Sequence, residues 1–230
     1  MCEQQRIVTI DGPSGGGKST VSRILAARLG FTYLDTGAMY RAVAYTCRQR
    51  AIDPGDAGKL EQILADIRIE LLPPAEGGDD VRVIVDGVEV GGELRSPEMG
   101  MLASAVSAQP PVRRRLTLMQ QRMGEAGGIV AEGRDTGTVV FPGAAWKFFL
   151  DASPEVRMHR RATQLRSKGE HVDEQQLLAQ IIQRDRDDRE RTIAPLMAAS
   201  DAAVIDSTGR TIGEVIELMH ARILAHPCRC

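Results

Sequence analysis

The feature that most limits how this chain can fold is one glycine-rich run, Gly12-Pro13-Ser14-Gly15-Gly16-Gly17-Lys18-Ser19. It fits the pattern G-x-x-x-x-G-K-[ST], in which glycines let backbone N–H groups turn inward around a polyphosphate. Such a cradle needs a strand before it and the positive N-terminus of a helix behind it. Both flanks are present. Ile7-Val8-Thr9-Ile10 is a β-branched run ending at Asp11, and Val21, Ile24, Leu25 and Leu29 recur at helical spacing. Gly30 is the expected helix stop. Phe31-Thr32-Tyr33-Leu34 reads as a second strand, closed by Asp35-Thr36-Gly37. Strand, helix, strand in that order is a βαβ unit and implies a parallel sheet. Lys18 is placed to reach the β- and γ-phosphates of a nucleoside triphosphate, and the Ser19 hydroxyl to ligate the accompanying Mg²⁺. The loop does not say what becomes of the phosphate.

Three more short apolar runs end in polar residues: Ile129-Val130-Ala131 before Glu132-Gly133-Arg134-Asp135, Trp146 to Leu150 before Asp151-Ala152-Ser153, and Ala203-Val204-Ile205 before Asp206-Ser207-Thr208. Each reads as a buried parallel strand with a functional loop at its carboxyl end. With the first two they make about five strands, an ordinary sheet size. Residues 67–90 differ. Ile67, Ile69 and Leu71 alternate with Arg68 and Glu70, Val81, Val83 and Val85 alternate with Arg82 and Ile84, and Asp86-Gly87 is a hairpin signal before Val88-Glu89-Val90. A small antiparallel sheet inserted into an α/β chain is expected. Ser96-Pro97-Glu98 and Ser153-Pro154-Glu155 open helices, and Thr211 with Glu214 forms a capping box.

At 230 residues the chain suits one domain carrying an inserted subdomain. One Trp, three Tyr and four Phe are too few for a base-stacking surface, and a net charge of −2 gives no general attraction to nucleic acid or membrane. Cys2, Cys47, Cys228 and Cys230 do not form a disulfide scaffold and fit a reducing compartment. Cys228 and Cys230, beside His226, read as a frayed tail rather than a metal site. No apolar run is long enough to span a membrane, and the N-terminus does not read as a signal peptide. A cytoplasmic protein acting as a monomer is expected.

The arginines carry the next step. In the helix after Asp173, an apolar stripe through Leu177 and Ile181 continues into Arg184, Asp188 and Arg191. An inward stripe that turns charged suggests a wet cleft around a charged ligand, since buried charge is costly unless paired or solvated. Arg157, Arg160 and Arg161 form a second group, a candidate lid over the triphosphate that would stabilise charge on a transferring phosphoryl group. Arg41 and Arg134 each lie just beyond the end of an expected strand. Arginines from four segments suggest a second anionic ligand. If that acceptor is itself a phosphate, no strong general base is needed, and cations with Mg²⁺ bring the two polyanions together.

The chain resembles bacterial-type cytidylate kinases, a family of nucleoside-monophosphate kinases. The resemblance rests on Thr9 to Gly15, Asp35-Thr36-Gly37-Ala38-Met39-Tyr40-Arg41, Glu132-Gly133-Arg134-Asp135 through Pro142, Phe149 to Ser153, Arg184-Asp185-Arg186-Asp187-Asp188-Arg189 and Asp206-Ser207-Thr208. It implies transfer of the γ-phosphate of ATP to CMP or dCMP, with Gly12 to Ser19 and Thr20 on ATP and Mg²⁺ as cofactor. It implies that Ser104, Arg113 and Asp135 contact cytosine, and that Arg184 and Asp188 hold the sugar. Thr36, Arg41, Arg134 and Arg191 would hold the CMP phosphate, with Arg157 and Arg161 in the lid. Lys18, Arg134, Arg157, Arg161 and Arg191 are thereby the candidate catalytic residues. Thr36 stands where the family pattern has Ser, and Gly16 where a small side chain such as Ala is common.

The expected fold is a three-layer α/β P-loop domain on a five-stranded parallel sheet. Residues 1–65 and 98–230 form the core, with a lid at about 156–170, and 66–97 form the inserted acceptor-binding subdomain. A GTPase-like switch would require a guanine-reading Asn-Lys-x-Asp segment, which the sequence lacks. The residue types by themselves leave open another small acceptor, such as UMP, another nucleoside monophosphate or shikimate.

Overall fold

Strand β1 (Ile7–Asp11) is buried at every position, as its uninterrupted β-branched sequence requires of a strand with neighbours on both sides. A computed structural model describes residues 6–76, 78, 80–167 and 169–226. In it β1 is the middle of five strands, in the order β2 (Thr32–Asp35), β6 (Ile129–Gly133), β1, β7 (Trp146–Asp151), β8 (Ala203–Asp206). Val8 is level with Val130 on one side and Trp146 on the other, both pairings parallel. The five expected strands are thus the strands of the sheet.

Alternate residues of this sheet build one core. Val8, Ile10, Val130, Phe148 and Leu150 pack with Val21 and Leu25 of helix α1 (Lys18–Leu29) and with Val215, Ile216, Met219 and Ile223 of helix α8 (Ile212–Ala225). Each such side chain contributes about 1.5–3 kcal/mol by leaving water. Gly30 ends α1, its N–H donating back to carbonyls of the last turn. The Thr211–Glu214 capping box starts α8 as expected.

The chain divides into two compact units, Met1–Tyr33 with Gly124–Cys230, and Leu34–Met123. The first also contains α6 (Pro154–Arg166) and α7 (Glu174–Glu190), capped by Ser153 and Asp173. They pack through a small apolar cluster around Met158, Ala162 and Ile181. The second unit contains α2 (Thr36–Gln49), α3 (Ala57–Asp66), α4 (Pro97–Ser107) and α5 (Pro110–Met123). It also contains the antiparallel sheet β3 (Ile69–Leu72), β4 (Arg82–Val85), β5 (Val88–Val90). Asp86 and Gly87 form the turn between β4 and β5 with φ of 51° and 83°, the positive values a two-residue hairpin turn demands. Ile67, expected in the first of these strands, instead caps α3, its N–H donating to the Ile63 carbonyl. Ser96 caps α4 by accepting from the Met99 N–H at 3.1 Å. Among the described residues no helix is long and apolar enough to cross a membrane. Cys47 is buried, whereas Cys2, Cys228 and Cys230, and with them the expected tail, lie outside the described residues.

The loop after β1 is held tightly against β7. Gly12 has φ 147°, and a Cβ there would lie 2.0 Å from the Leu150 carbonyl oxygen; at Gly16 a Cβ would lie 3.3 Å from the same atom. Gly12→Ala should cost on the order of 3 kcal/mol or more, through strain and displacement of β7. Gly16→Ala should be neutral or stabilising by up to about 1 kcal/mol, through a less flexible unfolded chain. Urea unfolding of both variants checks this. Equal shifts would show that the approach to Leu150 is not what demands glycine at position 12.

Candidate active site

Helix α1 starts inside the glycine-rich run, so Lys18 is its first residue. The Lys18 side chain is buried and Nζ donates to the Pro13 carbonyl at 2.7 Å, folding back over the loop. Burial first, and the Arg134 guanidinium second, push its pKa down to about 7. Ser19, exposed at the next position, donates its hydroxyl to Glu132 Oε1 at 2.8 Å, and Tyr33 donates to the same oxygen at 2.8 Å. Glu132 belongs to β6, adjacent to β1 in the sheet. Glu132 has no role assigned from the sequence motif that contains it. The signal that could have found it is an acid at the carboxyl end of a buried strand next to the loop strand.

Asp11, likewise given no role, ends β1 and accepts from the Thr136 N–H at 2.9 Å, the Thr136 hydroxyl at 2.7 Å and the Gly137 N–H at 2.8 Å. Burial pushes its carboxyl up while these hydrogen bonds pull it down. They fix the π-type turn Thr136–Val140 directly after Arg134 and Asp135.

Around that turn lies a network of alternating charge. Arg134 Nε donates to Asp188 Oδ2 at 3.0 Å, Arg191 Nη1 reaches Asp188 Oδ1 at 3.4 Å, and Arg191 Nη2 lies 3.7 Å from Asp135 Oδ1. Arg191 caps the C-terminal end of α7, and its Nε donates to the Ala194 carbonyl at 2.6 Å. Burial pulls the Asp188 pKa up, but Arg134, Arg184 and Arg191 together hold its carboxyl below the usual range. Arg184 also bears on Lys18. Lys18, Arg134, Arg184, Asp188 and Arg191 therefore form one electrostatic cluster in the first unit, in which the charged stripe of α7 is paired within the chain. A pre-ordered set of guanidiniums suits a multiply charged anion.

Arg157 departs from the expected lid arginine. Its side chain is 1% exposed. Nε donates to the Ala152 carbonyl at 2.9 Å, Nη1 to the Ser14 carbonyl at 3.2 Å and to Asp185 Oδ1 at 3.1 Å, and Nη2 to Asp185 Oδ2. Asp185 is four residues beyond Ile181 and continues the buried stripe of α7. The i+3 step from Ile181 leads to Arg184, so the spacing alone does not single out Asp185. Arg161, by contrast, is half-buried on α6.

In the second unit, Asp35 accepts from the Ala38 N–H at 2.9 Å to cap α2 and takes the Arg41 guanidinium at 2.8 Å. Arg41 is thereby held over the first turn of α2, where Thr36 is buried. Arg113 of α5 is buried, its guanidinium 5.6 Å from the centroid of the Tyr40 ring. Ser104 is half-buried on α4.

The lowered pKa of Asp188 has a sign that can be tested. Its folded value lies below the unfolded one near 3.9. The charge network therefore adds stability above about pH 4, and that stability is lost as the pH falls through the lowered value. Asp188→Asn should flatten the fall in urea midpoint between about pH 5 and 3 relative to the wild type. Parallel curves would show that Asp188 has the same proton affinity folded and unfolded.

The family model for cytidylate kinase matches residues 8–224. A cytidylate kinase of Geobacter sp. (strain M21) is 47% identical over 217 residues, covering 94% of this chain and 92% of that protein. A bifunctional pantoate ligase/cytidylate kinase of Prochlorococcus marinus (strain MIT 9313) is 50% identical over 220 residues, which are 95% of this chain and 43% of that protein. Among solved structures, an uncharacterized protein from Eubacterium ventriosum ATCC 27560 has a TM-score of 0.52 at 13% identity, covering 96% of this chain and 99% of that one. That likeness bears on the fold alone. On the match across 8–224 and on identities near one half over almost the whole chain, this protein belongs to the cytidylate kinase family.

Proposed function

We propose that this chain transfers the γ-phosphate of ATP to CMP or dCMP, giving ADP and CDP or dCDP. The observation that carries the reading is the cluster of Lys18, Arg134, Arg184, Asp188 and Arg191 in the same unit as the phosphate loop, in a chain of this family. Gly12 to Thr20 take the triphosphate, and Lys18 moves from the Pro13 carbonyl to the β- and γ-phosphates. Arg134 and Arg191 hold the acceptor phosphate with Thr36 and Arg41, and offset the charge that builds as two anions meet. An ionised acceptor oxygen needs no strong base, so these residues act by position and charge. Arg184 and Asp188 hold the sugar. Asp135 accepts from the cytosine amine, and Arg113 with Ser104 donates to the ring acceptors.

The Ser19 hydroxyl and the Glu132 carboxylate, 2.8 Å apart, are the hard oxygen donors that suit Mg²⁺. Among the described residues no three His, Cys, Asp or Glu side chains gather into a cage. When bound, Mg²⁺ supplies neutralisation of charge across the phosphates. Residues 66–97 act as the acceptor-binding piece, and α6 with the turn after it, about 156–170, as the lid that carries Arg161. The reading is of a cytoplasmic monomer acting on small molecules, with no membrane or nucleic-acid partner; the net charge of −2 supports it.

A coupled assay with ATP and Mg²⁺ against CMP, dCMP, UMP, AMP, GMP, TMP and shikimate tests the proposal. Turnover of CMP and dCMP far above the others is expected. Preference for another acceptor would discard the cytosine assignment, and no turnover at all would discard the kinase. Arg113→Ala or Asp135→Ala should each cost about 1–3 kcal/mol in kcat/KM for CMP while leaving ATP binding nearly unchanged. An equal loss of ATP binding would remove both from base recognition.

Lys18 gives a pH signature. A polyphosphate needs its ammonium form, and burial has brought its pKa to about 7. ATP binding at about pH 8.5 should therefore take up close to one proton, and affinity should weaken as pH rises above neutrality. Calorimetry in buffers of different ionisation heat measures the uptake. Zero uptake would mean that the free protein already holds a charged lysine.

A further inference from the structure

The glycine-rich loop turns carbonyls as well as N–H groups, and one of those carbonyls is held from α6 directly and another through Ser207. The Ser14 carbonyl accepts from Arg157 Nη1 at 3.2 Å. The Gly16 carbonyl accepts from the Ser207 hydroxyl at 3.3 Å, and Ser207 is in turn held by Arg160, through Nη1 to its hydroxyl at 3.1 Å and Nη2 to its carbonyl at 2.7 Å. A trans peptide is planar, with the carbonyl of one residue opposed to the N–H of the next. Drawing the Ser14 and Gly16 carbonyls toward these donors therefore turns the Gly15 and Gly17 N–H groups the other way. The grip on Ser14 is close: a Cβ at Gly15 would lie 3.2 Å from Arg157 Cβ.

Arg157 is itself fixed from a second side. Its fork is closed on Asp185 of α7, both groups being almost fully buried. Three residues on is Asp188, the centre of the arginine network. The apolar contact between α6 and α7 is small, with Met158, Ala162 and Ile181 as its buried members. The Arg157–Asp185 pair is therefore a buried directional part of that contact, beside the exposed Arg166–Glu174 pair at 2.7 Å, since apolar packing does not fix the angle of a guanidinium.

We infer that Arg157, with Arg160 through Ser207, is a positioning residue that sets the peptide planes of the phosphate loop for ATP, and that its pairing with Asp185 ties this setting to α7. This rests on the ATP-binding part of the proposed function. Arg157 acts through the loop backbone and not on the transferring phosphoryl group.

The test uses the full chain and the variants Arg157→Met, Arg157→Lys, Asp185→Asn, Arg160→Met and the double variant Arg157→Met/Asp185→Leu. Each is taken at a temperature where near-ultraviolet circular dichroism shows it folded. The probe is a non-hydrolysable ATP analogue with Mg²⁺, its affinity measured by calorimetry, beside kcat and KM for both substrates. Arg157→Met and Asp185→Asn should each weaken the analogue by about tenfold, as expected for a lost charged hydrogen bond. They should raise the KM for ATP far more than the KM for CMP. The double variant should be no worse than Arg157→Met, because both residues act along one path. Arg157→Lys should recover little, a single ammonium being unable to span carboxylate and carbonyls together. In ¹⁵N–¹H spectra of the free protein, the Gly15 amide should move in Arg157→Met and the Gly17 amide in Arg160→Met.

Loss of kcat with unchanged analogue affinity in Arg157→Met, with Asp185→Asn near wild type, would overturn the inference and make Arg157 catalytic. Lower thermal stability with unchanged affinity in the folded variants would also overturn it, leaving a purely structural pair. Should the wild type prefer an acceptor other than CMP, the proposed acceptor fails, while the analogue affinities and glycine amides still decide this inference.

Discussion

The carboxylate of Asp11 stands at the carboxyl end of the central strand, almost wholly out of water, and accepts three hydrogen bonds from Thr136 and Gly137. Unpaired, such a group would cost several kcal/mol, by roughly the usual estimates for buried charge. The cost is avoided only if the chain after β6 comes to it. That chain does so at a glycine: a Cβ on Gly137 would lie 2.8 Å from Thr9 Oγ1 and 3.4 Å from Asp11 Oδ2. One buried acid thus fixes the loop that bears Arg134 and Asp135. From the next residue, Gly12, the phosphate loop runs on against Leu150. Loop and arginines share one anchor because they leave adjacent strands at the same edge.

From that anchor the charges follow in order. Asp188 lies among Arg134, Arg184 and Arg191, and Asp135 faces Arg191. These pairs hold guanidiniums that would otherwise repel one another, and they keep long side chains in defined positions before any ligand arrives. Pre-ordering of this kind matters more for phosphoryl transfer than the stability of any single pair, because there is little covalent chemistry for a protein to perform. The same balance explains Lys18: burial and the Arg134 guanidinium weaken its hold on a proton.

Much of this was legible from the sequence where a local rule applied. Gly30, Ser96, Ser153 and Thr211 end or begin helices where their side chains or conformations demand it. Asp86-Gly87 marks a tight hairpin because few dipeptides adopt two positive φ values. Buried strands stand out as β-branched runs ending in polar residues. The site was legible in its residue types and less so in their roles. Ile67 alternates with Ile69 and Leu71, yet α3 takes it as its cap, because alternation and a helix end can share one residue. Asp185 and Glu132 were passed over because a buried acid reveals its partner only in three dimensions: Arg157 is 28 positions from Asp185, and Ser19 is 113 from Glu132.

Arg157 and Arg161 show where spacing stops being informative. They are one helical turn apart, and both looked like lid residues for a triphosphate. Yet the structure buries the first among carbonyls and a carboxylate and leaves the second half-buried. A guanidinium has five donors and a planar fork, so it can serve backbone carbonyls as readily as phosphate oxygens. Which it serves depends on whether a carbonyl is already turned toward it. The phosphate loop must turn some carbonyls outward in order to turn N–H groups inward, and each one so turned needs a donor if it is buried. A cradle for anions therefore calls for hydrogen-bond donors on its outer side as well as its inner one, and Arg157 and the Ser207 hydroxyl, itself held by Arg160, meet the first requirement.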